Sequence, residues 1–296
     1  MIIDYQNNVN DLLLRTDSRV ELFLTSPNWS IEPNLLSRGY QCIFENGKPM
    51  FAVGKLKDKA VIDNYKINLK IDNIKKELID LSFPDNTLLV GELFHPEFDV
   101  MTKIISTDTA TSLSMQLQQP LKYIVSDIYY FDTISLLSKT YFERRLILED
   151  LFEDTETKLV RLKDHYVLRE EKQKYFEQCQ TDSQGVLFRN GNVNYYDSKV
   201  YRYNNMHTFY AIILDVNIQK GLAYSIKIGM YQRGHLVEVG NATGLSRQYC
   251  ELLAQNKEQY INKMVRVASR IRVGNKLKNP KLIEICETYS KEKCNW

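Results

Sequence analysis

The order of apolar and polar residues divides the chain into two parts with different patterns. Up to about residue 207, apolar runs alternate with amphipathic segments, which predicts a mixture of strands and helices. Beyond that point, short apolar segments follow one another closely, which predicts short strands. We therefore predict an α+β domain over residues 1–207 and a small β-rich domain over residues 208–296.

Local patterns predict the elements of the first part. Two apolar runs flank Asn46-Gly47, a dipeptide typical of two-residue hairpin turns, so residues 40–53 predict a β-hairpin. Residues 71–81 have apolar positions at helical spacing. Further helices are predicted over 107–118, 141–152 and 169–179, and further strands over 87–94, 121–131, 158–162, 185–189 and 209–216. Near the N-terminus, residues 20–24 predict a strand and residues 11–14 predict a short helix.

The second part has a simpler pattern. Strands are predicted over residues 223–230, 236–240 and 264–273, with one helix over 246–258. Together with the strand at 209–216, about five short strands interrupted by one helix are typical of a small OB-type barrel.

Charge is balanced overall and concentrated locally. With 39 basic and 37 acidic residues, the net charge of +2 lacks the global basic signature of many DNA-binding proteins. Residues 257–281, here called the basic strip, hold eight basic residues and one acidic residue, a formal charge of +7. Two interpretations stay open: a solvated face of a β domain, or a strip that follows the phosphates of a nucleic acid.

Cysteine and histidine give no sign of a metal site. The five cysteines include no C-x-x-C spacing, and none of the four histidines stands at ligand spacing to a cysteine. We therefore expect neither a disulfide framework nor a zinc site. Neither a secretory leader nor an apolar run of membrane-spanning length is visible, so we expect a cytoplasmic protein without a membrane partner.

Short motifs along the chain carry a family resemblance. They are Glu32-Pro33, Gly91-Glu92-Leu93, Ser126-Asp127-Ile128, Glu143-Arg144-Arg145-Leu146, Gln184-Gly185-Val186, Val200-Tyr201-Arg202-Tyr203-Asn204, Val239-Gly240 with Thr243-Gly244, and Lys276 to Leu282. Their types and order resemble those of ATP-dependent DNA ligases, above all the compact two-domain ligases of phages and bacteria. The resemblance implies a nucleotidyltransferase (adenylation) domain of antiparallel sheets with helices, followed by an OB-fold domain.

The resemblance also implies roles for individual residues. Glu92 falls where the family holds the nucleotide ribose or assists the metal, and Arg202 falls at a lysine that grips phosphate. Arg189 is expected at a nucleotide phosphate or the DNA backbone. The expected DNA contacts within the basic strip are Arg270, Arg272, Lys276 and Lys278.

Several of these residues also have structural interpretations. Glu92 could pair with Arg202 or Arg38 and hold the core. Arg144 and Arg145 are expected to form ion pairs with Glu143 and Glu149 on a helix surface.

The position of the catalytic lysine departs from the family pattern. Ligation needs an uncharged lysine amine that attacks the α-phosphate of ATP. The family places it directly after Glu-Pro, in Lys-x-Asp-Gly-x-Arg, but here that position holds Asn34 or Leu36. The aspartate position holds Ser37 or Arg38, and a guanidinium cannot replace a carboxylate.

Three further positions have changed at the same pocket. Gln184 stands for the metal-associated glutamate, Asn204 for the second phosphate-gripping lysine, and Ser126 for the aromatic residue that stacks on adenine. Because the changes converge on one pocket, the leading hypothesis is a catalytically inactive ligase-like protein. It would bind duplex or nicked DNA, or act as an interaction subunit for a protein partner, with no cofactor.

The alternative is an active ATP-dependent DNA ligase or nucleotidyltransferase, with ATP and Mg²⁺, that uses a non-standard lysine such as Lys55. Lys55 lies 37 residues before Glu92 (92 − 55) and Asn34 lies 58 before it (92 − 34), and both separations suit the family. Against Lys55, no glycine follows Asp58, and the hairpin at Asn46 matches the one that normally follows the catalytic lysine. Lys55 would otherwise be a solvated turn residue.

Overall fold

The computed structural model describes the chain apart from residues 1–11, 14–17, 54–63, 182–184, 204–205, 270–271, 274–275, 287, 289, 291 and 296. The side chains of residues 12, 13, 18, 180, 181, 272 and 273 also lie outside the described part. The chain divides into two compact units, Met1–Asn204 and Asn205–Trp296. We had placed the boundary near residue 207.

The described residues of the first unit form ten strands and six helices, which are numbered below in chain order. The strands are β1 (Leu12–Leu13), β2 (Trp29–Asn34), β3 (Arg38–Glu45), β4 (Lys48–Ala52), β5 (Leu88–Phe94), β6 (Lys122–Phe131), β7 (Ile134–Ser135), β8 (Val160–Leu162), β9 (Gly185–Asn190) and β10 (Val200–Tyr203). The helices are α1 (Ser18–Thr25), α2 (Asp72–Asp80), α3 (Phe98–Ser106), α4 (Thr109–Gln116), α5 (Tyr141–Phe152) and α6 (Arg169–Thr181). Residues 64–68 are also helical.

Two sheets organise this unit. The larger has the strand order β4-β3-β5-β6-β7, with β8 parallel to β6 at its side, and the smaller has the order β1-β10-β9-β2. Most neighbouring pairs are antiparallel, as predicted for the adenylation domain. The chain passes from one sheet to the other after β8, where Tyr166 forms an antiparallel bridge with Ile31 of β2.

The predicted hairpin is confirmed as β3 and β4. Glu45 pairs with Lys48, and Asn46 and Gly47 have φ values of 52° and 69° between them. Both residues therefore sit in the left-handed region that this turn requires, which asparagine and glycine tolerate. The helices predicted at 71–81, 141–152 and 169–179 are also confirmed, as α2, α5 and α6.

Predictions near the N-terminus were wrong. Residues 20–24 lie in helix α1, because Val20, Phe23 and Leu24 follow the i, i+3, i+4 spacing and are buried together against Phe188. Their strand propensity is overridden by this packing. Leu12 and Leu13 form strand β1 beside β10, rather than a helix.

The second unit is a β domain with an OB-fold-like arrangement. Its strands are β11 (His207–Gln219), β12 (Leu222–Gln232), β13 (His235–Ala242), β14 (Met264–Ser269), β15 (Arg272–Val273), β16 (Lys276–Leu277) and β17 (Lys281–Ile285). Five of them form an antiparallel sheet in the order β13-β12-β11-β14-β17, with irregular register within three of the strand pairs. Its helices are α7 (Arg247–Gln255), α8 (Lys257–Tyr260) and the 3₁₀ turn Glu292–Cys294.

Each unit has its own hydrophobic core. In the first, buried side chains of the large sheet pack against α2, α3 and α5, including Tyr123, Ile74, Ile104 and Leu148. In the second, Leu253 of α7 is buried with residues of the five-stranded sheet. Among the described residues, no helix combines the length and apolar character needed to cross a membrane.

Candidate nucleotide pocket

Strands β2, β3 and β5 bring the sequence-predicted pocket residues into place. Asn34 is the last residue of β2 and lies opposite Gly185 of β9. After a three-residue connection, β3 begins at Arg38 and pairs with β5, so that Gly39 lies opposite Glu92. Asn34 is buried, Leu36 and Ser37 are half-buried, and Arg38 is exposed with its guanidinium 5.8 Å from the ring centre of Tyr40.

Steric crowding between β5 and β6 requires glycine at position 91, in the motif Gly91-Glu92-Leu93. A Cβ atom at Gly91 would lie 2.5 Å from the carbonyl oxygen of Ile124 and 2.8 Å from the ring of Tyr123. Contacts this short force the structure to move, so a larger residue would push β6 away from β5. The close approach of these strands fixes the position of Glu92.

Glu92 is held by internal partners. Its Oε1 lies 2.8 Å from the amine of Lys163, and its Oε2 accepts a hydrogen bond from the hydroxyl of Ser37. The cation bonded to Glu92 among these contacts is therefore Lys163, which the sequence analysis did not name. Lys163 approaches from the end of β8, which lies beside β6.

Glu32 and Arg189 form a second buried pair. Nε of Arg189 donates to Oε1 of Glu32 over 3.1 Å, and the guanidinium lies 4.5 Å from the ring centre of Tyr141. Burial alone would raise the pKa of Glu32, but the charges of Arg189, Lys163 and His165 outweigh it and lower the pKa to about 2. Arg189 was expected to contact a phosphate or the DNA backbone. Its side chain is instead buried and paired with the carboxylate of Glu32.

His165 and Arg145 lie in the same region. Burial lowers the pKa of His165, while the negative charge of Glu32 acts in the opposite direction. The Nε2 atom of His165 and the Nη1 atom of Arg145 are buried, and neither has a hydrogen-bond partner in the part of the chain that is described. Arg145 pairs with Glu149 over 2.7 Å as expected, but its side chain is buried rather than on the helix surface.

Arg144 pairs with a buried aspartate of β6, and not with a glutamate on the helix surface as expected. Its Nε and Nη2 atoms donate to the two oxygens of Asp127 at 2.8 Å each, and both side chains are almost fully buried. Glu143, its expected partner, instead forms the capping box of α5 with Thr140. The Asp-Ile motif of β6 and the Arg-Arg motif of α5 are thus joined by one bidentate ion pair.

The remaining pocket positions are partly described. Ser126 is buried, and its hydroxyl donates to the carbonyl oxygen of Val90 over 3.2 Å. Arg202 is half-buried on β10, opposite Leu187 of β9. The predicted site residues Lys55, Gln184, Asn204 and Arg270 lie outside the described residues, and of Arg272 only the backbone, in β15, is described.

The basic strip carries less charge than its sequence suggests. Lys257 pairs with Asp215 at 2.6 Å, Arg266 with Glu284 at 3.0 Å, and Lys276 with Glu238 at 3.1 Å. All three acids come from outside residues 257–281, so the formal charge falls from +7 to +4 (7 − 3). Lys281 also donates to the hydroxyl of Thr243 over 2.9 Å. Lys278 is half-buried.

Lys163 is the pocket residue that sequence reasoning missed. It follows a short predicted strand in the segment Val160-Arg161-Leu162-Lys163, where nothing distinguishes it from a solvated lysine. Only the crossing of β8 between the two sheets turns its side chain towards Glu92.

The described residues do not fit ATP and Mg²⁺ bound as the family resemblance implies. Asn34 and Leu36, the two candidates for the position of the attacking amine, both lack an amine, and both oxygens of Glu92 are already bonded within the chain. Within the described ranges, no group of three histidine, cysteine, aspartate or glutamate residues is placed to hold a metal ion. We therefore derive no chemical step through these groups.

The two units define a class of protein: a nucleotidyltransferase-type domain followed by an OB-fold-like domain. Solved structures share this architecture. "Pmar-Lig_Pre." aligns with a TM-score of 0.70 and 11% identity, covering 95% of this chain and 69% of its own. A structure described as "DNA binding with a minimal scaffold: Structure-function analysis of Lig E DNA ligases" aligns with a TM-score of 0.61 and 12% identity, covering 94% of this chain and all of its own.

The sequence itself is similar to a known family over about half of its length. Residues 64–206 match the family model described as the ATP dependent DNA ligase domain. Over this range the sequence is similar to ATP-dependent DNA ligases, which supports the resemblance that the motifs predicted. No curated protein matched the sequence significantly.

Proposed function

We propose that this protein is a ligase-like DNA-binding protein that does not form a lysine–adenylate. One observation carries the proposal: the lysine position of the family holds Asn34 or Leu36, while Glu92 of the same pocket is bonded internally through both oxygens. An amide nitrogen is not a nucleophile of the required kind. A carboxylate that is already paired is a poor ligand for a ribose or a metal.

Duplex or nicked DNA is the partner that the comparisons support. The Lig E structure, which shares the fold over 94% of this chain, is described by its title as binding DNA with a minimal scaffold. The basic strip, with a formal charge of +4 after its ion pairs, supplies a surface of the right sign. Phosphate contacts of this kind give affinity without sequence recognition.

The chemical half of the proposal is tested by labelling. Purified protein is incubated with α-labelled ATP and magnesium or manganese, denatured, and examined for label on the chain, beside an active ligase. We expect no label on this protein. Label that Lys55→Ala abolishes would contradict the proposal and establish the alternative nucleotidyltransferase that uses Lys55.

The binding half is tested by fluorescence anisotropy with nicked duplex, intact duplex and single-stranded DNA. About four phosphate contacts would weaken binding on the order of a hundredfold between 50 and 200 mM salt. Absence of binding to any of these at low salt would rule out the DNA-binding role. A protein partner would then be the remaining interpretation of the two-domain scaffold.

A further inference from the structure

The buried amine of Lys163 needs an explanation. Its side chain is only 2% exposed, and an ammonium ion is costly to bury unless it is paired. The neighbouring Asp164 is exposed. The partner of Lys163 is instead Glu92, 71 residues away in the sequence. The pair therefore belongs to the tertiary structure of the candidate pocket.

Lys163 and Asn34 lie at the same end of one strand contact. Ile31 and Tyr166 form an antiparallel bridge through two backbone hydrogen bonds of 3.0 and 3.1 Å. Asn34 stands three residues after Ile31 (34 − 31), and Lys163 stands three residues before Tyr166 (166 − 163). The bridge is isolated, but it holds the two segments side by side, and both lead from it towards Glu92, to which Lys163 and Ser37 bond.

Electrostatics give an independent reason to place the amine near position 34. The charge of Lys163 contributes to the lowered pKa of Glu32. Glu32 and Asn34 are two residues apart on β2, so their side chains project from the same face of the strand. Positions 32 and 34 therefore share the face of β2 on which the charge of Lys163 acts.

The same amine holds the acid of the pocket. Lys163 bonds to Oε1 of Glu92, and Ser37, which follows the connection after Asn34, bonds to Oε2. The Glu92 side chain is 21% exposed and that of Lys163 is 2% exposed, so the carboxylate is the member of the pair that solvent reaches. A nucleotide ribose or a divalent cation would compete with Lys163 and Ser37 for this carboxylate.

We propose that Lys163 replaces, from a different strand, the amine that is missing at position 34, and that its ion pair with Glu92 closes the pocket to nucleoside triphosphates. This inference rests on the proposed function, since it treats the amine as a structural counter-ion and not as a nucleophile. The positive charge of the pocket is retained, while the geometry for adenylyl transfer is lost.

A lysine swap tests the replacement. Lys163→Met keeps the side-chain length but leaves Glu92 without its cation, and we expect Tm to fall by roughly 5–10 °C. Asn34→Lys restores an amine from β2, so the double variant Asn34→Lys/Lys163→Met should recover most of that loss. Asn34→Lys alone should lower Tm, because two ammonium groups would share one pocket.

Lys172 supplies the matched control, because it is a second buried lysine with a different set of partners. Asn34→Lys should give no recovery in a Lys172→Met background. If Lys163→Met does not fold, recovery of folded protein by the double variant is the supporting result. A double variant as unstable or as poorly folded as Lys163→Met overturns the inference and leaves the proposed function standing.

Nucleotide experiments separate this inference from the proposed function. Wild-type protein should show no Tm shift with Mg·ATP, whereas Lys163→Met, or the milder Lys163→Gln if the first is unfolded, should show a positive shift because Glu92 has become available. Equal responses of wild type and variants would overturn the closure of the pocket. Label from α-labelled ATP on Lys163 itself would overturn both proposals, since the amine would then be a nucleophile.

Discussion

Glu32 is a carboxylate with no exposed surface, kept ionised by neighbouring cations. Arg189 bonds to it directly, and Lys163 and His165 add to the stabilisation of its charge. Removing either member of the Glu32–Arg189 pair would leave the other charge buried, which generally costs more than the pair contributes when intact. At the residue scale, the region between the two sheets is therefore a set of mutually dependent charges.

The lowered pKa of Glu32 predicts a loss of stability in acid. The folded carboxylate ionises at about 2, while an unfolded glutamate ionises near its ordinary value. Above about pH 5 both forms are ionised and the contribution is complete; as the pH falls towards 2, the unfolded chain takes up the proton first. The free energy of unfolding should fall by about 3 kcal/mol over this range from this group alone.

Urea unfolding of the wild type and Glu32→Gln between pH 3 and 7 measures this effect. The variant should be less stable at pH 7, and its free energy of unfolding should depend less steeply on pH. Parallel pH profiles for the two proteins would show that Glu32 does not carry the acid sensitivity.

At the scale of elements, Lys172 of α6 ties helix α1 to strand β2. Its amine donates to the carbonyl oxygens of Phe23 at 3.1 Å, Ser26 at 2.7 Å and Trp29 at 2.9 Å. Phe23 and Ser26 lie at the end of α1, where carbonyl groups lack helical N–H donors. Trp29 is the first residue of β2. The bonds set the position from which β2 carries Glu32 and Asn34 into the pocket.

Lys172→Met should destabilise the first unit, because it leaves these carbonyl oxygens without their shared donor. We expect a loss of about 2–3 kcal/mol in the free energy of unfolding, measured by urea titration. Lys174→Met is the matched control, since Lys174 is exposed on the same helix. Equal effects of the two substitutions would argue against the role given to Lys172.

At the scale of the whole molecule, charge is redistributed by folding. Three acids from other parts of the second unit pair with the basic strip, so the +7 of residues 257–281 is partly cancelled. The charge that remains sets the number of phosphates the strip can neutralise. It also sets the steepness with which DNA affinity should fall as salt increases.

Neutralising two lysines of the strip tests its role in DNA binding. Lys276→Gln/Lys278→Gln should weaken binding to nicked duplex and reduce the slope of log affinity against log salt by about 1, because Lys276 is already paired with Glu238. Arg247→Gln is the control, because its side chain is 92% exposed and lies outside the strip. An unchanged slope in the double variant would place any DNA contact elsewhere on the protein.

Local signals were sufficient where neighbouring residues decide the structure. Asn46-Gly47 predicted its hairpin because only the backbone of the turn is involved. Helix α5 was predicted over residues 141–152, and the structure has the same two ends. A capping box begins the helix. Helix α3 was missed, and 20–24 was assigned to a strand, because burial against distant segments decided both.

The sequence by itself determined the resemblance to ATP-dependent DNA ligases, the α+β and OB-type architecture and the absence of lysine at positions 34 and 36, because motif types and their order do not depend on contacts. Only the tertiary structure decided which charges meet. It paired Asp127 with Arg144, Glu32 with Arg189 and Glu92 with Lys163. These pairs join residues 17, 157 and 71 positions apart, and such partners are chosen by strand crossings and burial, which no local pattern encodes.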